Sequence, residues 1–116
     1  ELTDVLYEDP KGTTTFIASY KKQETDLEGK EYFKYIKTNV ADDRELELSM
    51  SKVIDFNGAK ALRAETIREH KYTSFTYETL YFKHNGYEIE LIAMSKEEDL
   101  GFRDLMKFAN TFKAIE

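Results

Sequence analysis

The sequence predicts an α+β fold: a central antiparallel sheet of about six strands, in the order β-β-α-β-β-β-β-α, flanked by helices. Three observations carry this. Asn57-Gly58 and Asn85-Gly86 each sit between strand-like runs, and Asn-Gly is the strongest short hairpin signal. The second hairpin, Phe75–Phe82 with Tyr87–Met94, is apolar on both faces, so it needs a layer on each side. Two amphipathic stretches, one after Thr25 and one at Leu100–Phe112, can supply those layers.

Thr3–Glu8 and Thr13–Tyr20 are rich in β-branched and aromatic residues and read as strands. Asp9-Pro10-Lys11-Gly12 between them has turn chemistry at each position, which predicts a hairpin. A loop, Lys21–Glu24, leads to Thr25-Asp26-Leu27-Glu28, a capping-box pattern. Behind it Leu27, Tyr32, Phe33, Ile36 and Val40 fall on one helical stripe, which ends at Asp42-Asp43-Arg44. Leu46, Leu48, Met50, Ile54 and Phe56 are evenly spaced and predict a strand with one buried face. Asn57-Gly58 returns the chain through Ala59–Arg68. A two-residue turn there sets Asp55 against Lys60, Lys52 against Arg63, Glu47 against Arg68 and Glu45 against His70, and a bulged turn shifted by one residue is the open alternative. In the second hairpin the same logic sets Phe82 against Ile89 and Leu80 against Leu91 on one face. The other face then carries Lys83 with Glu88, Tyr81 with Glu90, and Phe75, Tyr77, Ile92 and Met94. Ser95-Lys96-Glu97-Glu98 opens the last helix, with the stripe Phe102, Leu105, Met106, Ala109 and Phe112.

At 116 residues the chain is one domain, 1–116, able to bury roughly two-thirds of its unfolded surface. Seventeen basic against 23 acidic residues leave a net charge of −6, and no basic cluster reverses the sign. Nucleic acid is therefore an unsuitable partner, because its phosphates would be repelled. The chain has no cysteine, which excludes disulfides, thiolate metal sites and cysteine nucleophiles. No apolar run reaches the roughly 20 residues of a membrane span. The chain opens at Glu1 and enters strand-like sequence within three residues. Such a start fits a removed secretory or lipoprotein leader, and equally the processing of a cytosolic protein.

His70 and His84 are the only histidines, each near a strand end or turn, where a solvated side chain or a cross-strand ion pair explains them better than catalysis. Hydrolase, zinc-protease and phosphate-loop motifs are missing, so no catalytic residue is assigned. The carboxylates group at Asp42, Asp43, Glu45 and Glu47 and at Glu97, Glu98 and Asp99, but neither run has the bending glycine of a calcium loop. The expectation is no metal and no cofactor. The candidate partner-binding face is the more polar side of the second hairpin, Tyr77, Tyr81, Glu88 and Glu90, where tyrosine rings and carboxylates coincide. Packing of that face under the first helix is the competing expectation.

The run Phe56-Asn57-Gly58-Ala59-Lys60-Ala61-Leu62-Arg63, the strand Tyr87-Glu88-Ile89-Glu90-Leu91 and the terminal Phe108-Ala109-Asn110-Thr111-Phe112-Lys113 resemble the PsbP-like group, which includes the bacterial DcrB-type envelope proteins. The resemblance spans about Val5 to Phe112 as an order of elements. It implies a sheet between helices, a non-enzymatic role and an address outside the cytoplasm after a leader. On that basis the chain is expected to be an extracytoplasmic binding or assembly module acting through protein contacts, with an unknown protein partner and, through a removed leader, a lipid anchor. Two alternatives stand beside it. One is a cytosolic acidic partner protein of the immunity-protein or secretion-chaperone type, steered by its charge. The other is a small-ligand domain with a pocket lined by Phe33, Phe82 and Phe102.

Overall fold

A computed structural model describes residues 3–8, 14–70, 73–95 and 102–109. The elements are β1 (Thr3–Glu8), β2 (Thr14–Lys22), α1 (Gly29–Asp42), β3 (Glu47–Phe56), β4 (Ala59–His70), β5 (Thr73–His84), β6 (Tyr87–Ser95) and α2 (Phe102–Ala109). The strands form one antiparallel sheet in the order β1-β2-β6-β5-β4-β3. The α+β class expected from the sequence is thus observed, with an antiparallel sheet and two helices. Asp9-Pro10-Lys11-Gly12 and the Ser95–Glu98 helix start lie wholly or mostly outside the described residues, as do Leu100 and Phe112.

Both Asn-Gly turns form as two-residue hairpins. Asn57 and Asn85 adopt φ of 50° and 49°, and Gly58 and Gly86 follow at 82° and 78°. Two consecutive positive φ values are the type I′ requirement, and they match the turn to the right-handed twist of the strands. Phe82 lies opposite Ile89 and Leu80 opposite Leu91, as the alternation predicts. The face they share packs α2 through Leu105 and Ala109, with Phe56, Ala61 and Ala93 completing the cluster and Phe56 tilted against Phe82 at 5.3 Å. Phe102 begins α2, but its side chain is not among those described. The opposite face packs α1: Tyr32, Phe33 and Ile36 cover Leu62, Ala64 and Tyr81.

Strand β3 departs from its expected pattern. The register runs Phe56–Ala59, Asp55–Lys60 and Lys52–Arg63 as anticipated, then slips between Leu48 and Met50. One extra residue on β3 at this bulge reverses the parity of everything before it. Ile54 therefore packs with the α2-side cluster while Leu48 packs with the α1-side cluster, so the evenly spaced apolar residues serve two cores rather than one. Glu47 pairs with Ile67 instead of Arg68. Arg68 instead reaches Glu45 at 3.4 Å, and the expected Glu45–His70 pair falls on a side chain that is not among those described.

Helix α1 starts later than its capping box suggests. Thr25 Oγ1 accepts a hydrogen bond from Leu27 N at 3.2 Å, a local turn, and Glu28 is the N-cap without a side-chain cap. Gly29 has φ of +58°, a value that breaks any helix begun at Thr25. The carbonyls of Thr25 and Leu27 are instead taken by Lys83 Nζ, reaching up from β5. Leu27 consequently sits exposed, off the stripe. Strand β2 also continues past its expected end, because Lys21 pairs with Glu88 and Lys22 with Tyr87.

Leu91 is 0% exposed at the centre of the sheet, whereas Val53 on the outer strand is 46% exposed. Leu91→Ala should cost about 2–5 kcal/mol in urea unfolding, and Val53→Ala less than about 1 kcal/mol. Equal losses at the two positions would contradict the placement of the core.

Candidate functional site

Helix α1 covers only part of its side of the sheet. Its apolar residues meet β3, β4 and β5, and the polar inner face of β2 and β6 is left beside it. A pocket of about 190 Å³ opens there, lined by Ser19 and Lys21 of β2, Tyr32, Tyr35, Asn39 and Val40 of α1, and Tyr81, Glu88 and Glu90 of β5 and β6. That is far more than the ~10–15 Å³ a single water needs.

The four candidate residues fare differently. Tyr81 is 9% exposed and belongs to the core beneath α1, and Glu88 is 5% exposed. The open tyrosine–carboxylate surface expected from the sequence is therefore not formed: α1 packs on Tyr81, and Glu88 is taken by the segment before α1 through Glu24 N. Tyr81, Glu88 and Glu90 converge on the pocket, while the half-buried Tyr77 does not line it. A pocket between Phe33, Phe82 and Phe102 is also ruled out: Phe33 and Phe82 belong to clusters on opposite faces of the sheet.

The pocket's hydrogen bonds are specific. Glu88 Oε2 accepts from Glu24 N at 2.9 Å, which ties the segment after β2 to β6. Gln23 N donates to Gly86 O at 2.9 Å in the same tie. Lys21 Nζ lies 3.3 Å from Glu24 Oε2. Burial alone would lower the Lys21 pKa, but the hydrogen bond to Glu24 and the charges of Glu24, Glu88 and Glu90 outweigh it and raise it. Burial, with the charges of Glu88 and Glu90, pushes the Tyr32 hydroxyl far up, and burial with Glu90 does the same to Tyr81. Both phenols stay neutral across the physiological range. The Lys83 ammonium sits 4.8 Å from the centre of the Tyr32 ring, so that ring already faces a cation.

Sequence reasoning missed Ser19, Lys21, Tyr35 and Asn39. Ser19 and Lys21 belong because β2 lies beside β6 across more than 60 residues of chain, and Tyr35 and Asn39 because of where α1 sits on the sheet, neither of which local patterns encode. A wider depression of about 520 Å³ lies at the β3–β4 edge, yet Arg44, Glu45, Glu47 and Glu69 there are exposed, so it desolvates little. Among the described residues no group of three or more His, Cys, Asp or Glu side chains is arranged to hold a metal. Among the described residues His84 Nε2 is buried without a hydrogen-bond partner. No helix among the described residues is long and apolar enough to cross a membrane.

A second ionisable cluster lies on the α2 side of the sheet. Glu78 is 1% exposed, with Arg63 Nε 3.3 Å from its Oε2, and Glu65 beside it accepts from Ser49 Oγ at 2.8 Å. Burial and the hydrogen bond with Glu65 push Glu78 up from 4.5 to about 7, against the pull of Arg63. The hydrogen bonds from Glu78 and Ser49 hold Glu65 below its usual value. Because the folded chain holds the Glu78 proton more tightly, that contribution to stability is complete below 4.5 and is lost as the pH rises toward about 7. The urea midpoint should fall between about pH 5 and 8, with a slope of at most about 1.4 kcal/mol per pH unit, and Glu78→Gln should flatten it. A midpoint that is level or rises over this interval in the unmodified protein would contradict the burial of a neutral Glu78.

No family model matches the chain, and no curated protein matches it in sequence. Solved structures do match its shape. A Pseudomonas aeruginosa protein of unknown function, PA94, described as a candidate regulator, superimposes with a TM-score of 0.72 at 9% identity, covering 100% of this chain and 83% of that one. The cyanobacterial PsbP, CyanoP, of Synechocystis sp. PCC 6803 superimposes with a TM-score of 0.52 at 12% identity, covering 95% of this chain and 77% of that one. At such identities the likeness is one of fold, and the fold is PsbP-like.

Proposed function

We propose that this protein is a non-enzymatic binding module that acts through contacts at the pocket between α1 and the sheet, outside the cytoplasm. The observation that carries this reading is the pocket itself: buried Tyr81 and Glu88 form its floor, and neutral tyrosine hydroxyls stand beside carboxylates. Such a mixture of rigid rings and placed polar groups suits recognition. Support for the extracytoplasmic address, and for kinship with DcrB-type envelope proteins, is the PsbP-like resemblance alone. The net charge of −6 supports a basic partner in either compartment. A second reading, a domain for a small ligand, is favoured by the pocket's concavity.

A photo-crosslinking residue at Asn39, on the pocket rim, tests the first reading against a control at Val53. In cells of the source organism the Asn39 variant should give a discrete protein adduct that the Val53 variant does not. The same adducts from both positions would sink the reading. No adduct, together with a small molecule retained on the purified protein in native mass spectrometry, would replace it with the second.

A further inference from the structure

We infer that the pocket is built for a positively charged nitrogen donor, an alkylammonium or guanidinium group. The inference rests on the reading of this pocket as a binding site and names what it binds.

Glu88 is the first reason. Its carboxylate is 5% exposed, and Glu24 N meets it only at Oε2. Its Oε1 is not one of the buried polar atoms left without a partner, and the side chain forms part of the pocket wall. A carboxylate accepts several hydrogen bonds, so an oxygen still open to solvent can accept from a ligand in place of water. A ligand carrying N–H groups can donate there, and a charged one does so most strongly.

The second reason is the sign of the surrounding field. Asn39, Val40 and Asp43 place the C-terminal end of α1 on the pocket, where the helix carries its partial negative charge. The last turn of α1 holds no basic residue to offset it, and Asp43 adds a further negative charge. Glu88 and Glu90 approach from β6 on the opposite wall. Lys21 is the cation lining this space, and its ammonium is bonded to Glu24. Lys83 is engaged with the Thr25 and Leu27 carbonyls and with the Tyr32 ring. The rings of Tyr35 and Tyr81, with the neutral hydroxyls of Tyr32 and Tyr81, complete a wall suited to an organic cation. A metal ion fits less well, since three grouped ligands are not found among the described residues.

The test is an amide NMR titration with n-butylammonium, n-butanol and butyrate at constant ionic strength. Butylammonium should produce saturable shifts at Ser19, Asn39, Glu88 and Glu90, and butanol and butyrate should not. Glu88→Gln keeps an acceptor for Glu24 N and should weaken the amine roughly tenfold, the value of one hydrogen bond to a charged group. Asn39→Lys, at an exposed position, should supply its own ammonium and abolish the response. Butanol binding as well as the amine, or no change in the Glu88→Gln variant, would overturn the charge assignment while leaving a binding pocket. No saturable shift from any probe would remove the pocket reading too. Nα-acetyl-lysine methylamide distinguishes the sources: tighter binding than butylammonium marks a side chain offered by a partner protein, and weaker binding marks a free amine.

Discussion

The constraint on which the rest of the structure depends is that the β5–β6 hairpin must be covered on both sides. Leu80, Phe82, Ile89 and Leu91 face one way and Tyr81, with the carboxylates Glu88 and Glu90, faces the other. An antiparallel sheet commonly leaves one face wet, but here neither can be left so. The hairpin takes the centre of the sheet, with β2 on one edge of the pair and β4 on the other. The helices divide the work: α2 packs on the apolar cluster of one face, and α1 closes part of the other.

That partial closure creates the pocket. Tyr32, Phe33 and Ile36 find apolar partners on β4 and β5, so α1 is anchored over that side. Over β2 and β6 the sheet offers Ser19, Lys21, Glu88 and Glu90, to which an apolar helix face gains nothing by closing. The segment before α1 is instead held by polar bonds, Glu24 N to Glu88 and Lys83 to two carbonyls. Glu88, which holds this segment through Glu24 N, also lines the site. Charge at this place is a consequence of packing that stops short of β2.

Much of the fold was legible in the sequence because its signals are local. The Asn57-Gly58 and Asn85-Gly86 pairs specify positive φ and hence turn type, and alternation in β5 and β6 specifies which residues face each other. What was not legible is of two kinds. The β3 bulge depends on a single extra residue whose effect is to move Leu48 to the other core, and period-2 counting is blind to it. The start of α1 depends on Lys83 competing for carbonyls 56 and 58 residues away in sequence. The candidate site divides along the same line. Tyr81, Glu88 and Glu90 were found because cross-strand pairing groups them, but the sequence placed them on an open surface. Their burial, and the contributions of Ser19, Lys21, Tyr35 and Asn39, follow from the β2–β6 pairing and from the position of α1.

The central claim is that the β5–β6 hairpin is the shared wall from which both layers hang. Native-state hydrogen exchange tests it most directly, because amides in the most cooperative unit exchange only on global unfolding. The account predicts that the Leu80, Phe82 and Leu91 amides exchange at the global free energy, with β3 and the first turn of α1 opening at lower cost. Protection in the β3–β4 hairpin exceeding that in β5–β6 would contradict it.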